Sequence, residues 1–257
     1  MNEALYRKYR PENFDEVLGQ DHIVKVLKGA ISLGNISHSY LLHGSRGTGK
    51  TTIARIIARE LETKDEDIFE IDAASNRGID DIRELRDGIS TLPFNSKYKV
   101  YIIDEVHMLT KEAWNALLKT LEEPPKHVIF ILATTKIEKV PETIISRCQV
   151  FTFRKPSIGV LANLVENITV KEGFKIDKNS AELVAMLGDG SFRDTHGILQ
   201  KIMSYSKDKK IDSKEISLVT GAPNNVIVNQ FIEALAKSDL AKGLDAIRKA
   251  SSENVEM

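Results

Sequence analysis

The sequence predicts an α/β protein in which a parallel sheet is covered by helices and followed by a helical region. Three observations carry this. Short apolar runs alternate with helix-period segments through residue 154. Several runs are apolar at consecutive positions, as strands covered on both faces require. A glycine-rich loop joins the first run to a helical pattern, and alternating β and α elements favour a parallel sheet.

The elements follow in order. The runs YLLHG (40–44), IFEID (68–72), KVYIID (99–104), VIFILATT (128–135) and VFTF (150–153) read as strands. Between them, Trp114, Leu117, Leu118 and Leu121 repeat at helical spacing. EEPP closes that helix, because Pro124 and Pro125 cannot continue it. The pattern changes at RKPSIG (154–159), and everything beyond reads as helical. Leu161, Leu164, Val165 and Ile168 share one face. NSAEL (179–183) and SFRD (191–194) resemble helix starts, each with a polar cap and an acid three residues later. A boundary is expected near Pro156, and GAPNN (221–225) reads as a second linker. The divisions are thus 1–156, 157–221 and 222–257. The last is too short for a core of its own, so the chain reads as cut from something longer.

Composition excludes several classes. With 42% apolar and 28% charged residues among 257, this is the composition of a soluble globular protein. A net charge of −1 supplies no global field for nucleic acid, so any such binding must use local patches. A single cysteine forms no internal disulfide and no multi-cysteine metal site. The amino terminus lacks the apolar core of a secretion signal, and VIFILA is too short to span a bilayer. The expectation is a cytoplasmic protein.

The chemistry concentrates at a few points. Gly44, Ser45, Arg46, Gly47, Thr48, Gly49, Lys50 and Thr51 fit G-x-x-x-x-G-K-[ST], and Thr52 continues into the helix TTIARIIAREL. Strand before and helix after are the context this phosphate-cradling motif needs. Its glycines let backbone N–H groups face phosphate oxygens, and the helix N-terminus adds positive potential. Lys50 would reach the outer phosphates of a nucleotide, and Thr51 would hold Mg²⁺. Asp104 ends an apolar strand, where ligands bind in α/β folds, and can hold Mg²⁺. Glu105 can orient or deprotonate the attacking water. His107, completing DEVH, reads as a structural histidine, and no histidine has metal-ligand spacing.

Three further groups are candidates for reading the γ-phosphate. Thr135, with Thr134 close behind, ends an apolar strand and offers a hydroxyl; the alternative is an ordinary β-favouring threonine. Arg193 falls in the first turn of a helix if Ser191 caps it. A cation there faces the positive end of the dipole, which a bound phosphate would reverse and which Asp194 could also neutralise. Arg147 precedes the last strand, at the edge opposite the strands' carboxyl ends. It is poorly placed for its own nucleotide and could serve a neighbour's; the alternative is a surface salt bridge.

The blocks YRKYRPENFDEVLGQDHIV, SHSYLLHGSRGTGKTTIAR, EIDAASNRGIDDIREL, YIIDEVHMLTKEAWNALLKTLEEPP, ILATT, IISRC and GSFRD resemble the gamma/tau subunit family of bacterial DNA polymerase III. That family supplies the AAA+ ATPase motor of the clamp loader. The resemblance runs from about residue 4 to 222, and 101–125 is its most specific part. It implies an AAA+ P-loop NTPase domain with a five-stranded parallel sheet of order 5-1-4-3-2, a small helical lid domain and the start of a third, collar domain. It implies a hetero-pentameric loader acting with other loader subunits, a sliding clamp and primer-template DNA, and no membrane. The subunit would belong to the DNA-directed DNA polymerase holoenzyme without being its polymerase active site. Arg147 matches the family's arginine finger acting in trans, Arg193 its sensor 2, and Thr135 its sensor 1. Arg7, Arg10 and Val17 match the segment lying against adenine, and Arg77 and Arg83 the helix starts lining DNA. LETKDEDIFEID runs straight through where the family carries a four-cysteine module, so no zinc is expected.

Two alternatives share these features. The small subunit of replication factor C also carries SRC without a zinc module, but DEVHML…LLKTLEEPP favours the bacterial family. A non-hydrolysing loader scaffold can keep SRC with a damaged P-loop; here the P-loop residues and both acids are present. The Holliday-junction branch-migration motor shares a similar RP…F…GQ opening but lacks the long block.

Overall fold

The structure, a computed structural model, describes residues 3–75, 88–221 and 225–252. Arg77 and Arg83 lie outside the described residues. The strands are β1 Ser39–His43, β2 Ile68–Asp72, β3 Lys99–Asp104, β4 Val128–Thr134, β5 Gln149–Thr152, β6 Lys175–Ile176 and β7 Lys210–Ile211. The helices are α1 Leu5–Lys8, α2 Asp21–Ser32, α3 Lys50–Glu60, α4 Lys111–Glu122, α5 Glu142–Ile145, α6 Ile158–Lys171, α7 Lys178–Leu187, α8 Phe192–Tyr205, α9 Ser213–Thr220, α10 Asn225–Ala236 and α11 Leu240–Ser252. Among the described residues no helix is long and apolar enough to cross a membrane.

Arg10–Pro156 forms one compact unit; the residues before it and those from Ser157 onward form another. In the first, five strands pair in the order β2-β3-β4-β1-β5, every pairing parallel. This is the order the resemblance implied, read from the opposite edge. All five strands lie within a residue or two of the runs read from the sequence.

The consecutive apolar residues of β4 explain themselves in the packing. Side chains alternate between faces along a strand. Val128, Phe130 and Leu132 join Ala113, Trp114, Leu117 and Leu121 of α4 in one core cluster. Ile129, Ile131 and Ala133 join Ile53, Ile56 and Ile57 of α3 and Ile23 and Leu27 of α2 in the other. No residue of β4 is more than 1% exposed, and burying a side chain such as Ile131 or Phe130 contributes about 1.5–3 kcal/mol. The sheet therefore holds its carboxyl ends, where the chemistry-bearing loops emerge, on a rigid platform.

Local signals set the helix ends. Thr110 caps α4 by accepting from the Ala113 N–H, and the helix stops at Glu122, just ahead of the prolines. The GQ of the N-terminal block also has a structural role. Gln20, 1% exposed, donates to the Arg154 carbonyl at 2.7 Å and accepts its N–H at 3.2 Å. That pairing ties the segment before α2 to the chain leaving β5.

The second unit is built on Leu5, Val165, Ile168, Ala181, Val184, Leu199, Ile202, Ile211 and Ile216. Residues before Arg10, grouped from sequence with the sheet region, pack here. The Leu5 N–H donates to Gln200 Oε1 at 3.1 Å, and Lys8 and Tyr9 both donate to Glu172 at 2.6 and 2.5 Å. Two sequence readings are corrected. The region is not purely helical, because β6 and β7 pair in parallel. Helix α7 starts earlier than NSAEL suggests, because Asp177 rather than Asn179 caps it by accepting from the Ser180 N–H. Ser191 does cap α8, accepting from the Asp194 N–H at 3.2 Å. Helices α10 and α11 pack on each other around Ala234 and Ala246.

Candidate functional site

The loop between β1 and α3 is held by close backbone approach. Gly44 has φ +153°, and a Cβ there would lie 2.7 Å from the Phe153 carbonyl oxygen, so only glycine fits. Its N–H donates to the Thr134 carbonyl at 3.2 Å, fixing the loop to the end of β4. Gly49, at φ +101°, turns the chain into α3. Left-handed geometry at that cap presents the first-turn N–H groups of α3 to the loop cavity, an anion-binding arrangement. Lys50 is 6% exposed, and its ammonium donates to the Gly44 and Ser45 carbonyls, each at 2.9 Å. The Thr48 hydroxyl donates to the Ser45 carbonyl at 2.9 Å, while Ser45 and Arg46 are exposed and Gly47 has φ +72°. Thr52 is half-buried in the first turn of α3. His43, at the end of β1, is held below the usual imidazole range by burial and then by the Lys50 charge.

Thr51, at the start of α3, donates its hydroxyl to Asp104 Oδ2 at 2.6 Å. The other Asp104 oxygen accepts the Glu105 N–H at 2.8 Å. A hydroxyl and a carboxylate side by side are hard oxygen donors of the kind Mg²⁺ takes. Glu105 leaves β3 with φ +46°, a left-handed conformation rarely adopted outside glycine. Its Oε2 accepts from the Thr135 hydroxyl at 2.9 Å and the Thr135 N–H at 3.3 Å. His107, read from sequence as structural, lies in this network. Its Nδ1 is 2.9 Å from Thr134 Oγ1 and 3.3 Å from Glu105 Oε2. The signal for it was the spacing in DEVH, two residues after the glutamate, but its contact to Thr134 is invisible in sequence.

The remaining candidates are dispersed. Arg147 lies before β5, and its carbonyl accepts from the hydroxyl of Ser39, the first residue of β1. The glycine loop leaves the other end of β1, roughly 16 Å along the strand. Arg147 is therefore on the edge away from its own loop, held by Glu122 at 2.7 Å and the Thr143 carbonyl at 2.7 Å. Arg10 and Val17 belong to the sheet unit, and Val17 packs half-buried against its core. Arg7 and Arg193 both lie in the second unit. Their guanidinium carbons sit 5.7 and 5.9 Å from the centroid of the Tyr6 ring.

A parallel sheet ordered β2-β3-β4-β1-β5, a glycine loop running from β1 into α3 and paired acids at the end of β3 define the AAA+ P-loop NTPase class. A solved structure of the Thermotoga maritima RuvB Holliday junction branch migration motor shares the fold, with a TM-score of 0.70 and 24% identity over 83% of this chain and 72% of that one. The relatives in sequence are more specific. DNA polymerase III subunit tau of Bacillus subtilis is 40% identical over 96% of this chain and 47% of its own length. DNA polymerase III subunit gamma of Buchnera aphidicola subsp. Schizaphis graminum is 39% identical over 99% of this chain and 76% of its own. A family model described as DNA polymerase III, delta subunit, matches residues 62–157. The chain belongs to the DNA polymerase III gamma/tau subunit family. It spans about half the length of the B. subtilis relative and 40% of that of the Mycoplasma pneumoniae gamma/tau subunit.

Proposed function

We propose that this chain binds and hydrolyses ATP as the motor subunit of a bacterial clamp loader. The observation that carries the reading is the Thr51–Asp104 hydrogen bond at 2.6 Å, with Glu105 next in the chain and Lys50 drawn across the glycine loop. The loop suits phosphate because Gly49 turns the chain in the left-handed region into α3, whose N-terminus faces it. Lys50 and the loop amides from Gly44 to Thr52 bind the phosphates. Thr51 and Asp104 hold Mg²⁺, which neutralises phosphate charge when bound. Glu105 orients and deprotonates the attacking water. Thr135 and Arg193 read the γ-phosphate, and Arg7, Arg10 and Val17 contact the base.

Arg147 serves a neighbouring subunit. Its place on the edge away from its own loop supports that role. The partners are other loader subunits, a sliding clamp and primer-template DNA, in the cytoplasm. Residues 157–221 act as the lid, and 222 onward begin the collar.

The family model described as a delta subunit favours weighing a non-hydrolysing scaffold as the second reading. Its match begins at residue 62, so it spans Asp104 and Glu105 but not Gly44, Gly49, Lys50 and Thr51, the P-loop residues a damaged scaffold would lack. Equilibrium ATP binding and steady-state hydrolysis by the wild type and Lys50→Ala decide between them. The motor reading expects both to be lost in Lys50→Ala. Hydrolysis by that variant at the wild-type rate would overturn the site; ATP binding by the wild type without turnover would favour the scaffold.

A further inference from the structure

The roles given to the P-loop and the two carboxylates leave unexplained a buried imidazole beside them, that of His107. Its side chain is 7% exposed. The left-handed turn at Glu105 leads directly into the short helical turn Val106–Met108, which folds His107 back against the end of β4. One nitrogen, Nδ1, faces two oxygens, Thr134 Oγ1 at 2.9 Å and Glu105 Oε2 at 3.3 Å.

This geometry sets the tautomer. A bare Nδ1 would aim its lone pair at a carboxylate oxygen of Glu105, a repulsive contact between two acceptors. With the proton on Nδ1, the contact to Glu105 becomes attractive, and Thr134 accepts the hydrogen bond. Thr134 is itself fixed, because it is fully buried and its hydroxyl accepts the Lys136 N–H at 3.0 Å. The imidazole is thus anchored to β4 and presents its polar edge to Glu105.

Glu105 Oε2 consequently accepts two hydrogen bonds, from the Thr135 hydroxyl and the Thr135 N–H, and lies 3.3 Å from a third donor group, the His107 Nδ1–H. All three stand on the end of β4 or are braced by it. A carboxylate with one oxygen tied in this way has little rotational freedom, and its second oxygen is left to meet water. We infer that His107 is a positioning residue for Glu105, holding its carboxylate against the end of β4 in the orientation that water activation requires. This rests on the reading of Glu105 as the general base.

The test compares His107→Ala and His107→Asn in the full chain. Asparagine returns an N–H donor close to the position of Nδ1. Steady-state ATP hydrolysis with Mg²⁺ gives kcat and KM, a fluorescent ATP analogue gives nucleotide affinity, and Lys50→Ala runs alongside. A misplaced catalytic group costs on the order of 10²-fold in rate per ångström, so His107→Ala is expected to lower kcat by ~10–100-fold. KM and nucleotide affinity should stay within about twofold, and His107→Asn should recover most of the rate. Wild-type kcat in His107→Ala overturns the inference. So does equal loss in both variants with a lowered thermal midpoint, since that is the signature of a purely structural histidine. If Lys50→Ala hydrolyses ATP normally, the assignment of the site itself has failed and the role of His107 falls with it.

Discussion

Arg147 Nη2 lies 2.7 Å from Glu122 Oε1, so the arginine ahead of β5 is tied to the last turn of α4. The pair joins two of the blocks that mark the family, IISRC and LLKTLEEPP. Both side chains are about a third or more exposed, at 34% and 45%, and such a pair contributes no more than about 1 kcal/mol. An interaction this weak holds the guanidinium near one place and yields readily to a phosphate.

The first prediction follows from that imbalance. Arg147→Ala is expected to leave the thermal midpoint nearly unchanged while lowering ATP hydrolysis in assembled complexes by ~10³–10⁵-fold, the usual worth of an arginine finger. The measurement is rate per chain against protein concentration, with Mg²⁺ and primed DNA. The wild-type rate should climb with concentration and the variant's should not. An unaffected rate in an assembled complex would reduce Arg147 to a structural residue.

Asp67 gives a prediction on stability. Its carboxylate is fully buried and accepts the Phe94 N–H at 2.6 Å and the Asn95 N–H at 2.9 Å. Burial alone would raise its pKa; the Asn95 and Phe94 amides, with help from Ser96, more than offset this and leave it below the usual aspartate range. A carboxyl depressed in the folded state contributes stability above its unfolded pKa and loses it as pH falls through the folded value. Asp67→Asn turns an acceptor into a donor facing two N–H groups and is expected to cost ~1–3 kcal/mol. Urea unfolding at pH 7 measures it, and the gap between wild type and variant should close toward pH 3.

The sheet was legible because its signals are local. Strand runs carry their own burial pattern, and the Trp114–Leu121 spacing and the prolines after α4 act within a few residues. The phosphate loop was legible because glycine and lysine spacing alone dictates its backbone. What stayed hidden depends on partners far apart in the chain. Gly44 meets Phe153, Glu122 meets Arg147, and His107 meets Thr134 across 27 positions. The two-residue strands β6 and β7 are too short to show any period. At α7 two Asx residues competed for one cap. The pattern favoured Asn179, but Asp177 reaches both the N–H and the hydroxyl of Ser180.

Gly44 yields a third prediction. Alanine there places a methyl 2.7 Å from the Phe153 carbonyl oxygen and 2.8 Å from its Cβ, at a φ that side chains rarely adopt. Neither neighbour is the free end of a flexible side chain, so the loop itself must move. Strain of ~1–3 kcal/mol is expected, appearing as nucleotide affinity about tenfold weaker or worse. Titration with a fluorescent ATP analogue measures it; unchanged affinity would mean that the loop amides do not hold the phosphates.

The last prediction concerns His196, three residues beyond Arg193 on α8. The Phe192 carbonyl accepts from its Nδ1–H at 2.5 Å, while Nε2 is buried with no hydrogen-bond partner among the described residues. Protonation would therefore place a charged N–H where nothing accepts it. Burial accordingly holds the imidazole below its ordinary value, and the Phe192 carbonyl only partly opposes this. The unfolded chain takes up its proton first as pH falls, at about 6.5. Stability from the neutral ring is thus fully present above that value and lost as pH drops toward the depressed folded one. His196→Leu cannot titrate, so its thermal midpoint should fall less than the wild type's between pH 7.5 and pH 5.5, even if it is lower at both. Equal falls would show that the ring keeps its ordinary pKa, and that Nε2 finds an acceptor when the charge arrives.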